Sequence, residues 1–137
     1  MTTVAWDGKT LACDSQGDRG GLRHGVPTKI WRLNDGRLFG GCGDWADVLD
    51  VLAWLDGDSP RPEGVQDFSG LLISPLGCKI LTARLSMHDA PWSFFAIGSG
   101  RDFAIAAMHL GCCARDALAV ACAYDTYSGG NIHEIAL

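Results

Sequence analysis

The sequence lacks an excess of positive charge and any long apolar run. Its 137 residues include 11 Lys and Arg against 16 Asp and Glu, which gives a formal net charge of -5. Such a chain is poorly suited to binding nucleic-acid phosphates or an anionic membrane surface. No apolar run approaches the roughly 20 residues that a membrane-spanning helix needs. We therefore expect neither a nucleic acid nor a membrane as a partner.

Metal and disulfide patterns are also missing. The six cysteines include no CxxC pair, and the four histidines are scattered without metal-ligand spacing. The amino terminus shows no basic segment followed by an apolar one, which is the pattern of a secretion signal. We expect a cytoplasmic protein with reduced thiols, most of them packed as small apolar side chains. The same pattern predicts no metal site and no cofactor.

The composition is that of a globular protein, with 47% hydrophobic and 20% charged residues. At this length we expect a single domain over residues 1–137. Alternating apolar residues around an Asp-Gly pair predict hairpins in "TTVAWDGKTLACD" and "KIWRLNDGRLFGG". Further strands are predicted in "FSGLLISPLGCKILTARL", "WSFFAIGSG" and "GGNIHEIAL". Strands and helices are segregated along the chain, so a mixed α+β fold with antiparallel sheets is expected.

Three helices are predicted from periodicity. In "DWADVLDVLAWLDGD" the apolar residues recur at helical spacing, the acids lie on the other face, and Gly57 supplies a stop. The expected inward face consists of Trp45, Val48, Leu49, Leu52 and Leu55. Two alanine-rich helices follow in "RDFAIAAMHLG" and "ARDALAVACAYD", with a break near Gly111. Residues 57–68 are expected to form only a loop.

The opening "MTTVAW" raises a chemical question about Thr2. If Met1 is removed, the α-amine and the hydroxyl of Thr2 lie on the same residue, and the amine can take the hydroxyl proton. A free α-amine titrates near pH 8, and a nearby buried cation would favour its neutral form. An acyl-transfer site would also need backbone N–H groups aimed at the developing oxyanion.

The sequence offers residues for each of these needs, and each also has an ordinary structural interpretation. Asp14 suits a turn, Lys29 a solvated strand end and Ser99 a helix cap, and Asp125 suits a helix end. Gly40 can bring backbone N–H groups close to a ligand. Taken singly, these residues do not decide between structure and catalysis.

Taken together, six stretches resemble the proteasome β-subunit family of N-terminal-nucleophile hydrolases, most closely the HslV-type peptidases. They occur in family order and run nearly end to end: "TTVAW", "ACDSQ", "KIWRL", "LFGGCGDWAD", "FFAIGSGRDFAIAA" and "AYDTYSGGNIHEI". The resemblance implies a four-layer sandwich of two antiparallel sheets between helix layers. It also implies a threonine-type peptidase that hydrolyses polypeptides within a homo-oligomeric ring, with an ATPase unfoldase as a candidate partner.

The resemblance also implies a role for each site residue. Thr2 would be the nucleophile, Lys29 would lower the pKa of the amine or hydroxyl, and Asp14 would pair with Lys29. The Gly40 N–H would form the oxyanion hole. The residues expected around the α-amine are Ser99, Asp125 and Ser128. The residues expected to line the substrate side-chain pocket are Pro27, Trp31, Leu38 and Cys42, which suggests cleavage after apolar residues.

Two alternatives keep part of this interpretation. The chain is short, and it has a loop where the family carries another long helix. This favours a non-catalytic assembly or scaffold protein, such as one encoded by a phage, although a buried Lys-Asp pair is costly to keep without use. An amidohydrolase acting on a small substrate is the third interpretation, and the "GSG" and "DTYSGG" stretches argue against it.

Overall fold

The computed structural model describes residues 2–19, 21–25 and 28–137. Within these ranges the helices are α1 (Trp45–Leu55), α2 (Arg101–His109) and α3 (Ala114–Tyr124). The strands, in chain order, are β1 (Thr3–Trp6), β2 (Thr10–Cys13), β3 (Gln16–Arg19), β4 (Leu22–Gly25), β5 (Ile30–Arg32), β6 (Leu38–Gly43), β7 (Phe68–Ser74), β8 (Gly77–Leu81), β9 (Met87–Asp89), β10 (Phe95–Gly98) and β11 (His133–Ala136).

The strands pair into three sheets within the described ranges. One sheet has the order β10-β1-β2-β11, a second has the order β5-β6-β7-β8-β9, and β3 and β4 form a separate hairpin. The pairs are antiparallel in all three sheets. The predicted α+β class with antiparallel sheets is therefore confirmed, whereas the four-layer sandwich stays a prediction.

Strand β1 contributes to two different cores because its side chains alternate between the faces of its sheet. Val4 packs in one cluster with Leu38 and Ile73 of the second sheet. Ala5 packs in another cluster with the alanines of α2 and α3, whose small side chains let the helices approach closely. Since β1 is buried along its whole length, the residues at its start are held firmly.

Helix α1 packs on the opposite side of the second sheet. Its buried residues are Val48 and Val51, which join a cluster with Phe39 of β6. The prediction for its inward face was wrong in part, since Leu49 is 41% exposed and Trp45 is 39% exposed. Residues at i and i+3 lie on one helix face, and the sheet meets the face that carries Val48 and Val51.

The predicted hairpins, helices and closing strand are all present. Asp44 caps α1 by accepting a hydrogen bond from the Asp47 amide, and the C-cap Asp56 is followed by Gly57 at a φ of +81°. The structure adds the hairpin of β3 and β4 and the short strand β9, which the sequence did not predict. Both contain mainly polar or exposed residues, so no apolar alternation marks them.

No helix in the described part of the chain is long and apolar enough to cross a membrane.

Candidate active site

Two cavities adjoin Thr2, the residue that precedes β1. The larger, about 560 Å³, also borders Lys29, Gly43 and Trp45, together with the β3–β4 hairpin. The smaller, about 200 Å³, also borders Cys42 and Ser99. A cavity of about 840 Å³ elsewhere, against α2, has a mostly apolar lining. Size alone would favour that cavity, but the predicted chemistry lies around Thr2.

Buried acceptors hold the Lys29 ammonium in place. It donates to Oδ1 of Asp14 at 2.9 Å and to the carbonyl of Gln16 at 2.5 Å. The two charged side chains are 3% and 0% exposed. A buried charge is tolerated only when it is paired and hydrogen-bonded, and this pair meets both conditions. The predicted pairing of Asp14 with Lys29 is thus present in the structure, and Lys29 borders the same cavity as Thr2.

Asp14 also ties three chain segments together. Its carboxylate accepts hydrogen bonds from the backbone N–H groups of Thr3 at 3.0 Å, Gln16 at 3.3 Å and Gly129 at 3.0 Å. These donors lie on β1, on β3 and in the loop after α3. Such bonds stabilise the ionised carboxylate. Asp14 therefore joins these three segments and at the same time positions the Lys29 ammonium.

Ser99, Asp125 and Ser128 meet on the other side of Thr2. Both serine hydroxyls donate to Oδ2 of Asp125 at 2.6 Å, and the Ser99 amide donates to the carbonyl of Thr2 at 2.9 Å. Burial acts to raise the pKa of Asp125. Hydrogen bonds from Ser128, Ser99 and the Tyr127 amide outweigh it, so the pKa lies below its ordinary value. The three predicted residues therefore form one hydrogen-bonded group around an ionised carboxylate.

The three glycines of β6 differ in where their N–H groups point. The Asp44 amide donates to Asp67 on the β7 side, and the Gly41 amide donates to Lys29 on the β5 side. N–H groups alternate between the sides of a strand, so Gly40 points towards β7. Gly43 points to the same side as Gly41, and it borders both cavities beside Thr2. The structure thus places Gly43, rather than Gly40, at the candidate nucleophile.

The four predicted pocket residues are not all in one place. Cys42 borders the smaller cavity, whereas Leu38 is fully buried between the sheets. Trp31 is half-buried and packs against Trp45, with ring centroids 6.1 Å apart. Pro27 lies outside the described residues.

The chemistry of this lining is mixed. Burial, followed by the nearby charge of Asp67, raises the pKa of the Cys42 thiol to about 12, so the thiol is neutral at physiological pH. The larger cavity is lined by Asp18, Arg19 and His24 as well as Trp45. Charged side chains therefore border this cavity, and the predicted pocket residues Trp31, Leu38 and Cys42 do not line it.

Comparisons with solved structures identify the architecture. Eukaryotic HslV from Trypanosoma brucei superposes with a TM-score of 0.79 at 21% identity, over 99% of this chain and 98% of that one. The chain has the fold of HslV. BPH of Thiobacillus denitrificans in complex with epoxomicin gives a TM-score of 0.78 at 19% identity, over 98% and 97% of the two chains. A further structure of BPH gives 0.72 at 19% identity, over 99% and 96%.

The predicted resemblance to HslV-type structures is therefore confirmed at the level of the fold. No protein-family model and no curated protein sequence matches the chain.

The contacts around the candidate site include residues that the sequence interpretation missed. Thr3 contacts Ser128 through its hydroxyl, and Gln16 supplies its carbonyl to Lys29. Gly43 was missed because a strand's N–H direction depends on its pairing. The sequence did contain a signal for Thr3. Thr3 directly follows Thr2, and successive side chains in an extended segment point to opposite sides. Within the described residues, no group of three or more His, Cys, Asp or Glu is placed to hold a metal ion.

Proposed function

We propose that the chain is a threonine-type peptidase subunit that hydrolyses peptide bonds through Thr2 after removal of Met1. The observation that carries the proposal is that one cavity borders Thr2, Lys29 and Gly43 together. This arrangement supports a site in which a nucleophile, a buried cation and a backbone N–H donor share one space. The HslV-type fold supports the same function, because HslV and BPH share this architecture.

In the first chemical step the Thr2 hydroxyl attacks the carbonyl carbon of a peptide bond. Its proton passes to the α-amine of the same residue, which is the nearest base once Met1 is removed. The positive charge of Lys29 disfavours a second nearby cation, so it keeps the amine neutral and basic. The tetrahedral oxyanion requires an N–H donor, and we assign this role to Gly43 in place of Gly40.

Collapse of the tetrahedral intermediate breaks the peptide C–N bond. The leaving amine takes the proton from the α-ammonium group, which restores the base and leaves an ester on Thr2. In the second step this ester is hydrolysed. The α-amine then removes a proton from water, and the resulting attack on the ester releases the acid product and the Thr2 hydroxyl. Ser99 and Ser128 donate their hydrogens to Asp125, so towards the α-amine their hydroxyl oxygens would act as hydrogen-bond acceptors.

The layer order and the assembly are further parts of the proposal. The clusters that join α2 and α3 to the first sheet, the two sheets to each other and α1 to the second sheet support a four-layer sandwich. By resemblance to HslV-type peptidases, we propose a homo-oligomeric ring that acts on unfolded or delivered polypeptides. An ATPase unfoldase is the candidate partner for delivery.

Epoxomicin is the probe of choice, because the structurally similar BPH binds it. Intact-mass measurement of the purified protein should show loss of Met1, and incubation should add one epoxomicin per chain. Peptide mapping should locate the adduct on Thr2 rather than on Cys42, whose thiol borders the smaller cavity. Cleavage of an unfolded protein substrate should accompany the labelling.

Two variants make the result specific. Thr2→Ala should fold, bind no epoxomicin covalently and cleave nothing. Cys113→Ser removes an exposed thiol and should label like the native protein. A protein that keeps Met1 in every molecule, or a Thr2→Ala variant that still cleaves, would overturn the proposal. The first result would favour the assembly or scaffold alternative.

A further inference from the structure

The hydroxyl of Thr3 lies at the centre of a buried polar network. Thr3 is 0% exposed, and its Oγ1 atom lies 2.7 Å from Oγ of Ser128. The same oxygen accepts a hydrogen bond from the backbone N–H of Gly100 at 3.0 Å. Gly100 is the N-cap residue of α2 and forms no side-chain cap of its own. Thr3 thus connects β1, the start of α2 and the loop after α3.

The direction of each hydrogen bond in this network follows from the number of hydrogens. The Asp125 carboxylate is ionised and can only accept, so Ser128 uses its single hydrogen to donate to it. Thr3 must then be the donor to Ser128. Ser99 likewise donates its hydrogen to Asp125. The hydrogen bonds therefore run in one direction: Thr3 donates to Ser128, and Ser128 donates to Asp125.

We propose that Thr3 is a positioning residue for the nucleophile Thr2, acting through the Ser128–Asp125 pair and the first turn of α2. The proposal rests on the proposed function of Thr2. Thr3 is covalently joined to Thr2, and its hydroxyl holds both Ser128 and Gly100. Ser99 precedes Gly100 and donates its amide to the Thr2 carbonyl. The Thr3 hydroxyl therefore sets the distance between Thr2 and the acceptors that face its α-amine.

A residue that only capped α2 would affect stability and nothing else. A positioning residue has a further effect, because displacement of a reacting group by about 1 Å can lower a rate by about 100-fold. Thr3→Val keeps the shape of the side chain but removes the hydroxyl, whereas Thr3→Ser keeps the hydroxyl but removes the methyl group. Comparing these variants separates hydrogen bonding from packing.

The experiment measures the rate of epoxomicin attachment to Thr2 over a range of probe concentrations. We expect Thr3→Val to lower the saturating rate by about 10- to 100-fold, with little change in the half-saturating concentration. Thr3→Ser should restore the saturating rate to within about 3-fold of the native value. Val51→Ala, in the distant core beside α1, should lower the thermal midpoint without lowering the rate of the folded protein.

Each outcome has a defined meaning. A native saturating rate in Thr3→Val, or a rate in Thr3→Ser as low as in Thr3→Val, overturns the positioning role while Thr2 labelling of the native protein preserves the proposed function. Absence of labelling in the native protein overturns both. If Thr3→Val does not fold, Thr3→Cys replaces it, because a thiol fills similar space but donates only weakly.

Discussion

The Nζ atom of Lys29 lies 2.9 Å from Oδ1 of Asp14, and this ion pair is almost completely removed from solvent. The two partners differ in their remaining contacts. Asp14 accepts three additional backbone hydrogen bonds, whereas Lys29 donates also to the Gln16 carbonyl. The carboxylate would therefore keep three backbone hydrogen bonds if the ammonium were removed, whereas removing the carboxylate would take away the anion that pairs with a buried ammonium.

This asymmetry predicts unequal costs for the two single substitutions. Asp14→Asn leaves a buried cation without its anion and turns an amide NH₂ towards hydrogen-bond donors, so it should lower the free energy of unfolding by about 3–5 kcal/mol. Lys29→Met keeps the aliphatic stem and should cost at least about 1 kcal/mol less. Urea unfolding monitored by tryptophan fluorescence measures both changes.

The double variant is the matched control for this prediction. Removing both charges should restore part of the stability, with a coupling free energy of about 0.5–3 kcal/mol between the two sites. Lys29→Met should also abolish Thr2 labelling while the protein stays folded. Equal losses of stability in the two single variants would show that the backbone hydrogen bonds to Asp14 contribute little.

The position of Gly43 predicts a large effect of adding a methyl group. Its φ is +115°, and an added Cβ would overlap the carbonyl oxygen of Asp67, the residue that precedes β7. Gly43→Ala combines a strained backbone with a collision against the backbone of Asp67. We expect a loss of about 2–4 kcal/mol in the free energy of unfolding, and loss of Thr2 labelling in the protein that still folds.

Gly36 provides a control for backbone conformation alone. Its φ is +91°, but an added Cβ would meet no heavy atom within 4 Å. Gly36→Ala should therefore cost only about 1–2 kcal/mol and should leave labelling at the native rate. If the two alanine variants have the same stability and the same labelling rate, Gly43 has neither the close contact nor the catalytic position assigned to it.

Local sequence signals explain which parts of the fold could be predicted. Asp7-Gly8 and Asp35-Gly36 mark tight turns through residues that tolerate positive φ, and Gly8 and Gly36 have φ values of +97° and +91°. Asp44 is a residue type that favours the N-cap position, and it marks the start of α1. The β3–β4 hairpin has the pair Gly20-Gly21 between its strands in the sequence, but its residues are mainly polar and β4 is exposed throughout, so no apolar alternation accompanies that signal.

The site was predictable as a set of side chains but not as a geometry. Asp14, Lys29 and Asp125 lie far apart in sequence, and the polar character of each could be recognised without knowing their contacts. The choice between Gly40 and Gly43 depends on which edge of β6 each N–H group faces. That direction is set by pairing with β5 and β7, which is a property of the folded sheet.

The depressed pKa of Asp125 predicts how stability changes with pH. The carboxylate has an ordinary pKa of about 3.9 in the unfolded chain, and hydrogen bonds from Ser128 and Ser99, opposed by burial, place the folded value lower. Between these two values the unfolded state binds more protons, so folding stability rises with pH. The contribution is fully present above about pH 5 and is lost as the pH falls through the folded pKa.

Asp125→Asn removes this contribution, so the native protein should exceed the variant in stability most clearly at neutral pH. The difference between them should shrink as the pH falls from about 5 towards 3, which urea unfolding at each pH measures. Asp58→Asn removes a charge from an exposed loop position and controls for the change in net charge.

Asp125 is partly exposed, so salt should weaken the effect. A difference between native protein and Asp125→Asn that stayed constant across this range would mean that Asp125 is not held ionised by its serine partners. The assignment of Thr3 as donor to Ser128, and of Ser128 as donor to Asp125, would then no longer follow.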